Sequence, residues 1–415
     1  MRNLSDRCPK AVDVAVVGAG PQALTLVTHL LQKKKSLRDR LAIFDPAGTW
    51  MQCWKQQFAA LDIPHLRSPA VHHPDPDPYA LRRFATSRST ELFPPYDLPG
   101  TRLFEEFCED VVRRWGLSDR VFPTRITHIE PIEYRGTRRF RLESAEGSTC
   151  LVRRVVLATG EGIPNLPDWV KSLPPLHPSD ALQHSNDIDL RRSHLQQRRV
   201  LIVGSGLTSG HLAIGAVKRG ATVTMVARRE FYGKLFDADP GWLGPKYLKG
   251  FHAERDWDKR AAMVRSARNG GSLTPAILLK LRQLARQGKV EFVENCQIAT
   301  AAWTDSGWRV EAAQSGKTLV SQRFDRLWLA TGTHFDIRQN PLLAAMWETH
   351  PVRVVGGLPV LSDRLRWGNC ELFLMGAWTA LQVGPVARNL YGGKLASECI
   401  VPALTKASLA LPVSV

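Results

Sequence analysis

No two cysteines in this 415-residue chain are close enough to form a C-x-x-C pair. The seven, at Cys8, Cys53, Cys108, Cys150, Cys296, Cys370 and Cys399, are odd in number and scattered. That distribution excludes a disulfide framework, a zinc ribbon and the usual dithiol of a disulfide reductase, and it fits packing thiols in a reducing compartment. The expected location is cytoplasmic. Long apolar runs are missing too. The longest apolar tract, Ala11 to Leu31, is broken by Gly18, Gly20, Pro21 and His29, so no segment reads as membrane-spanning. Met1–Lys10 is short and polar, without the apolar core of a signal peptide. Acidic residues are in the minority, 39 against 56 basic, and the net charge of +17 biases the surface towards anions. The basic clusters Lys33-Lys34-Lys35, Arg82-Arg83, Arg138-Arg139 and Arg198-Arg199 are scattered among no nucleic-acid-binding motif, and they read as solvated faces. Neither a nucleic acid nor a membrane is expected as partner, and a homo-oligomer stays open.

What is present is a glycine pattern in a specific setting. Val12 to Val17 is a short apolar run suited to a buried parallel strand. Gly18-Ala-Gly-Pro-Gln-Ala23 follows as G-x-G-x-x-A. In such a turn Gly18 bends the chain, Gly20 lets a pyrophosphate approach the backbone, and Ala23 lets the next helix pack on the strand. Pro21 suits a first helical position, and Gln22 shares that turn. A second strand, Leu41 to Phe44, ends in Asp45, 25 residues beyond Gly20, where a carboxylate would hold ribose hydroxyls. Trp50 either lies beside a flat ring or packs a loop.

The segment Leu61–Tyr79 is proline-rich and irregular. His72, His73, Asp75 and Asp77 there invite a metal reading, but no distant motif completes a shell and no metal is expected. Spacing predicts a helix over Leu103–Trp115 and an antiparallel excursion over Arg125–Val156, with turns near Gly136 and Gly147. The excursion returns to a strand closing on Ala158-Thr-Gly160, and a polar connection runs from Glu161 to Asn186.

The opening pattern then recurs. Arg199–Val203 is a strand, and Gly204-Ser-Gly-Leu-Thr-Ser209 is G-x-G-x-x-S, with Gly204, Gly206, Thr208 and Ser209 at the nucleotide. Strand Thr222–Ala227 ends in Arg228-Arg229 with no acid at the ribose position, which favours a 2′-phosphate and so NADPH over NADH. Asp325-Arg-Leu-Trp-Leu-Ala-Thr-Gly332 is a second strand closing on Ala-Thr-Gly. Strand Leu372–Met375 leads to Gly376, and a helix is expected from Gly384-Pro385 to about Ile400.

Two nucleotide folds 186 residues apart, each followed by an Ala-Thr-Gly strand, resemble a flavoprotein with two dinucleotide-binding domains. The closer resemblance is to the flavin-dependent N-hydroxylating monooxygenases, the lysine and ornithine N-monooxygenases. It rests on Gly18-Ala-Gly-Pro21, on Asp325–Gly332, on His73-Pro-Asp-Pro-Asp-Pro-Tyr79 and on His177-Pro-Ser-Asp180. It implies an α/β fold of two Rossmann-like domains, the NADPH domain inserted into the FAD domain, with expected boundaries 1–165, 166–325 and 326–415. FAD would occupy the first fold and contact Trp50, Gly160, Gly376, Gly384 and Pro385 besides the residues of its glycine turn. NADPH would occupy the second, with Gly332 beside it. Positions that meet substrate and flavin in the family hold Asp62 and Arg67 here, His177 belongs to the H-S-S-x-like motif, and Thr333 replaces the aromatic that follows L-A-T-G. The implied reaction uses O₂ and a small-molecule amine, or another N or S nucleophile, and passes through C4a-hydroperoxyflavin. No catalytic base is visible. Two alternatives stay open: a flavin oxidoreductase or oxidase without oxygen transfer, and a non-catalytic flavin or nucleotide sensor.

Overall fold

The computed structural model describes residues 8–160, 162–174, 176–268, 270–304, 307–312 and 323–406. Most of the polar opening Met1–Lys10, and Glu161 at the start of the polar connection, lie outside them. The first unit is built around β1 (Ala11–Val17), whose Val14–Val17 are buried because parallel neighbours flank it on both sides. The chain turns into α1 (Pro21–Lys33), which buries Leu24, Val27, Leu30 and Leu31, and returns through β2 (Leu41–Asp45). After α2 (Thr101–Arg114), which matches the expected helix except that Trp115 is its C-cap, β3 (Val121–Pro123) joins the edge beyond β2. The predicted excursion is the meander β4 (Ile126–Tyr134), β5 (Thr137–Ser144) and β6 (Thr149–Leu157). Its first turn carries Arg135 and Gly136, both at positive φ (50° and 70°), the conformation two-residue hairpins require. The carboxyl half of β6 leaves the meander and runs parallel to β1.

The second unit repeats the plan. β7 (Leu182–His184) is followed by β8 (Arg199–Val203), α3 (Leu207–Lys218), β9 (Thr222–Val226), α4 (Pro275–Arg286) and β10 (Val290–Val293). An antiparallel meander comes next: β11 (Ile298–Thr304), β12 (Gly307–Ala312) and β13 (Arg323–Phe324). Strand β14 (Arg326–Leu329) then enters the middle of the parallel sheet, giving the order β7–β14–β8–β9–β10. The expected boundary at 325/326 therefore moves. β14 is hydrogen-bonded to both β7 and β8 and belongs to the second unit, and the chain crosses back at Thr333–His334. That crossing pairs antiparallel with the outward one, Ile163–Pro164.

β15 (Leu372–Leu374) completes the first sheet beside β6, and α5 (Leu390–Thr405) packs against α1. The helix expected from Gly384-Pro385 is a correction. Gly384 sits at φ +97° and ends a separate short helix, Ala380–Val383, and two further turns intervene before α5 starts at Leu390. The core of the first unit also takes in Ala238, Trp242, Phe251, Ala261 and Val264 from between β9 and α4. No helix among the described residues is long and apolar enough to cross a membrane.

Candidate dinucleotide sites and their junction

Strands β2, β1, β6 and β15 are parallel neighbours, so their carboxyl ends bring Asp45, Gly18, Gly160 and Gly376 into one row. This is the edge at which open α/β sheets bind ligands. Gly18 (φ +104°) is packed so closely that a Cβ would lie 2.6 Å from the Ala158 carbonyl oxygen. Gly20 differs: nothing lies within 4 Å of where its Cβ would be. The same is true of Gly160 and Gly376. No side chain caps the N-terminus of α1, and its first turn holds no acid, so the amide dipoles there are available to an anion. Asp45 accepts from the Ala19 N–H at 3.0 Å and the Ala47 N–H at 2.9 Å, which fixes its carboxylate beside the glycine turn. Gln22 donates to the carbonyl oxygens of Asn389 (2.9 Å) and Ala387 (3.4 Å), tying the first turn of α1 to the entry of α5. Trp378 is buried two residues past Gly376, edge-on to Phe335, and its indole N–H has no partner among the described residues. An open glycine, an uncapped helix start and a buried donor are what a dinucleotide would fill.

The second row reproduces the first. Gly204 (φ +137°) would place a Cβ 2.3 Å from the Ala330 carbonyl oxygen, and Gly206 again faces open space. The Ala158 and Ala330 N–H groups donate to Val17 and Val203 carbonyls, both at 2.9 Å. Each Ala-Thr-Gly strand thus ends against the first glycine of its own fold, which explains why the motif recurs. Helix α3 has no side-chain cap; the Ser209 hydroxyl donates to the Gly206 carbonyl at 2.7 Å, and Thr208 is half-buried beside it. Arg228 is exposed at the end of β9. Arg229 donates to the Gly271 carbonyl at 3.0 Å. His184, unforeseen in the sequence, ends β7 with Nε2 at 3.1 Å from the Gly332 carbonyl. Its Nδ1 accepts the Asn186 N–H, so the ring proton sits on Nε2. Burial pushes its pKa down.

The remaining candidates disperse. Trp50 is buried with its indole N–H on the Leu117 carbonyl at 2.9 Å, so the loop-packing reading is the one the geometry supports. Asp62 pairs with Arg219 at 2.6 Å, beyond the carboxyl end of α3, and that 12-residue helix is about 18 Å long. It is therefore held away from the Gly206 turn. Arg67 reaches the other end. Its guanidinium donates to the carbonyls of Leu235 (2.8 Å), Lys234 (2.7 Å) and Ser272 (3.3 Å) and to the Ser272 hydroxyl (2.9 Å). Residues 62–67 thus form a strap along α3, with Arg67 clamping rather than offering a free charge. His177 packs against Trp308 of the second meander, and Asp180 pairs with Arg326 at the start of β14. That is the amino edge of the parallel sheet, opposite the glycine turn, because the chain must pass it before entering β7. Thr333 lies in the crossing ribbon against Pro164. In the proline-rich segment Asp75 is taken by Arg114 (2.9 Å) and the Trp115 indole (3.3 Å), and the His73 ring packs on Phe107. Among the described residues no group of three His, Cys, Asp or Glu is placed to hold a metal ion.

Two parallel-sheet folds, each with an uncapped helix start at an open glycine and locked together by Arg67, define a protein with two dinucleotide-binding folds. A family model described as FAD-NAD(P)-binding matches residues 15–162, and one described as L-lysine 6-monooxygenase/L-ornithine 5-monooxygenase matches residues 99–335. The chain belongs to the L-lysine 6-monooxygenase/L-ornithine 5-monooxygenase family, whose members are NADPH-dependent flavin monooxygenases with FAD and NADPH as cofactors. It is 24% identical over 335 residues to L-lysine N6-monooxygenase of Escherichia coli, covering 72% of each chain. Its fold is that of ornithine hydroxylase from Pseudomonas aeruginosa (TM-score 0.76, 16% identity, 95% of this chain and 98% of that one). It is also that of the Kutzneria ornithine N-hydroxylase, solved with reduced FAD, NADP⁺ and L-ornithine (TM-score 0.76, 18% identity, 95% and 99%).

Proposed function

We propose that this chain N-hydroxylates a small primary amine, with FAD at the first glycine turn, NADPH at the second and O₂ as co-substrate. The observation that carries the reading is the duplicated cradle: Gly20 and Gly206 each open where a Cβ would stand, each at the start of an uncapped helix. When bound, NADPH supplies hydride and the flavin supplies the oxygen-activating chemistry. The protein's own part is to bind and orient. The amide dipoles of α1 and α3 meet the two pyrophosphates. Asp45 would hold a ribose, and Arg228 with Arg229 would answer a 2′-phosphate. Arg67 and the strap tie the two folds together and would hold a bound flavin and nicotinamide in a fixed relation. Asp62 Oδ2 is held by Arg219 and the Arg67 guanidinium by Leu235, Lys234 and Ser272, which favours specificity determinants at other positions. Seven free cysteines suit a reducing compartment, and we place the protein in the cytoplasm.

The test is purified, FAD-loaded protein with NADPH, O₂ and a panel of ornithine, lysine and cadaverine, assayed for hydroxylamine and for hydrogen peroxide. Amine-dependent hydroxylamine formation matching NADPH consumption supports the reading. Consumption that yields only peroxide with every amine refutes it in favour of an oxidase. Failure to consume NADPH at all leaves a sensor.

A further inference from the structure

The region between β9 and α4 belongs by sequence to the second fold, yet it is welded to the flavin-facing end of the first. Helices Pro245–Ala253 and Trp257–Arg268 direct three donors at the segment between Ala380 and α5. Arg260 donates to the Leu381 carbonyl (3.1 Å), the His252 ring bonds the Gln382 carbonyl (3.0 Å), and Arg268 donates to the Pro385 carbonyl (2.8 Å). Arg268 is the most enclosed of these contacts: its side chain is 16% exposed, and its other amino group is ion-paired with Asp237. Asp237 also lies 3.7 Å from Arg388, one residue before the cap of α5. Burial pushes the Arg268 pKa down to about 10, which leaves it charged at neutral pH.

Arg268 also ends the helix that runs into the second cradle. The Gly271 N–H bonds back to the Arg268 carbonyl (3.3 Å). Gly271 (φ +90°) lies so close to the second glycine turn that its Cβ would stand 3.1 Å from the Gly206 Cα. Its carbonyl is held by Arg229, and the next residue, Ser272, is held by Arg67. A dinucleotide seated at Gly206 would lie beside Gly271, three residues from the side chain that grips Pro385.

We propose that Arg268 is a positioning residue that couples occupancy of the Gly206 cradle to the geometry of the flavin-facing segment 381–389. This rests on the assignment of the two cradles above. The mechanical argument is short. The Arg268 side chain bridges two segments that no shared strand connects, and its planar group, held at one amino group by Asp237 and at the other by Pro385, resists rotation where a single contact would pivot.

The experiment is hydrogen exchange of FAD-loaded protein with and without NADP⁺, read on peptides spanning 381–389, alongside the NADP⁺-induced change in the flavin absorbance spectrum. In the wild type, NADP⁺ slows exchange in this segment at least threefold. In Arg268→Gln that slowing disappears and the spectral change is lost, while NADP⁺ still binds. Arg268→Lys, able to keep one of the two contacts, restores part of both. If Arg268→Gln does not fold, Asp237→Asn removes one partner and leaves the Pro385 contact, and it must at least halve the slowing. Slowing that persists unchanged in Arg268→Gln, or in Asp237→Asn where that variant stands in, overturns the coupling. A wild type that binds no FAD or no NADP⁺ instead overturns the assignment of the cradles.

Discussion

Gly204 and Gly206 stand two residues apart in one turn, and the structure assigns them opposite sensitivities. Consider alanine at each. At Gly206 the backbone (φ −85°, ψ 176°) is one any residue adopts, and no atom lies within 4 Å of the new methyl. Losing glycine at a helix cap costs about 0.5–1 kcal/mol, and the reduced freedom of the unfolded chain returns about 0.4–1 kcal/mol. The two nearly cancel, so Gly206→Ala melts within about 2 °C of the wild type. Its methyl, however, occupies the space a phosphate needs, and we expect NADP⁺ affinity to fall at least about tenfold, or about 1.4 kcal/mol. At Gly204 the methyl would sit 2.3 Å from the Ala330 carbonyl oxygen, a backbone atom, at φ +137°. Strain of about 1–3 kcal/mol joins a clash that must push β14 away from β8. Gly204→Ala therefore loses stability first. Differential scanning fluorimetry and NADP⁺ titration read the pair. Equal melting of the two variants refutes the packing argument at Gly204, and wild-type NADP⁺ affinity in Gly206→Ala refutes the assignment of the open glycine to the phosphate.

Asp45→Ala frees the Ala19 and Ala47 amides, and the purified protein should carry less than half the wild-type flavin by absorbance. Replacing Arg228 and Arg229 together with Gln should raise the KM for NADPH about tenfold or more and leave that for NADH unchanged, from the loss of charge-assisted contacts of about 1.5–3 kcal/mol. Gln22→Leu removes a donor from the Ala387 and Asn389 carbonyls, the second of which keeps the Gly393 N–H, and denaturant titration should show a loss of about 0.5–1.5 kcal/mol. The His211 pKa is pushed down to about 4 by burial, with His65 and Lys218 adding repulsion. The unfolded chain binds that proton near 6.5, so the contribution is whole above this value and is lost as pH falls towards 4. Melting temperature should decline across that window, and less steeply in His211→Gln.

Both glycine turns, both Ala-Thr-Gly strands and the first meander were legible because each is a local pattern of period, turn chemistry and strand order. The row of Asp45, Gly18, Gly160 and Gly376 follows once those strands are parallel. What escaped was contact between segments far apart in the chain. Arg67 meets Ser272 across 205 residues, and Arg268 meets Pro385 across 117, and no periodicity encodes such partners. Asp62 and His177 are candidates only through a resemblance of motifs, and the fold holds both away from the glycine turns. Gly384-Pro385 reads as a helix start because proline favours that position, but the positive φ of Gly384 makes it a stop.

The chain enters and leaves the second fold through one paired ribbon, Ile163–Pro164 against Thr333–His334. Such a neck suggests a cassette that could be exchanged between relatives at two adjacent cuts. Phe251 and Trp242, rooted beyond the neck, are nevertheless sunk in the hydrophobic interior on the near side. A chimera spliced at the ribbon alone would import a foreign plug into that interior. A workable graft has to trade residues 62–67 and 381–388 along with the cassette, so the smallest exchangeable unit of this scaffold is discontinuous in sequence.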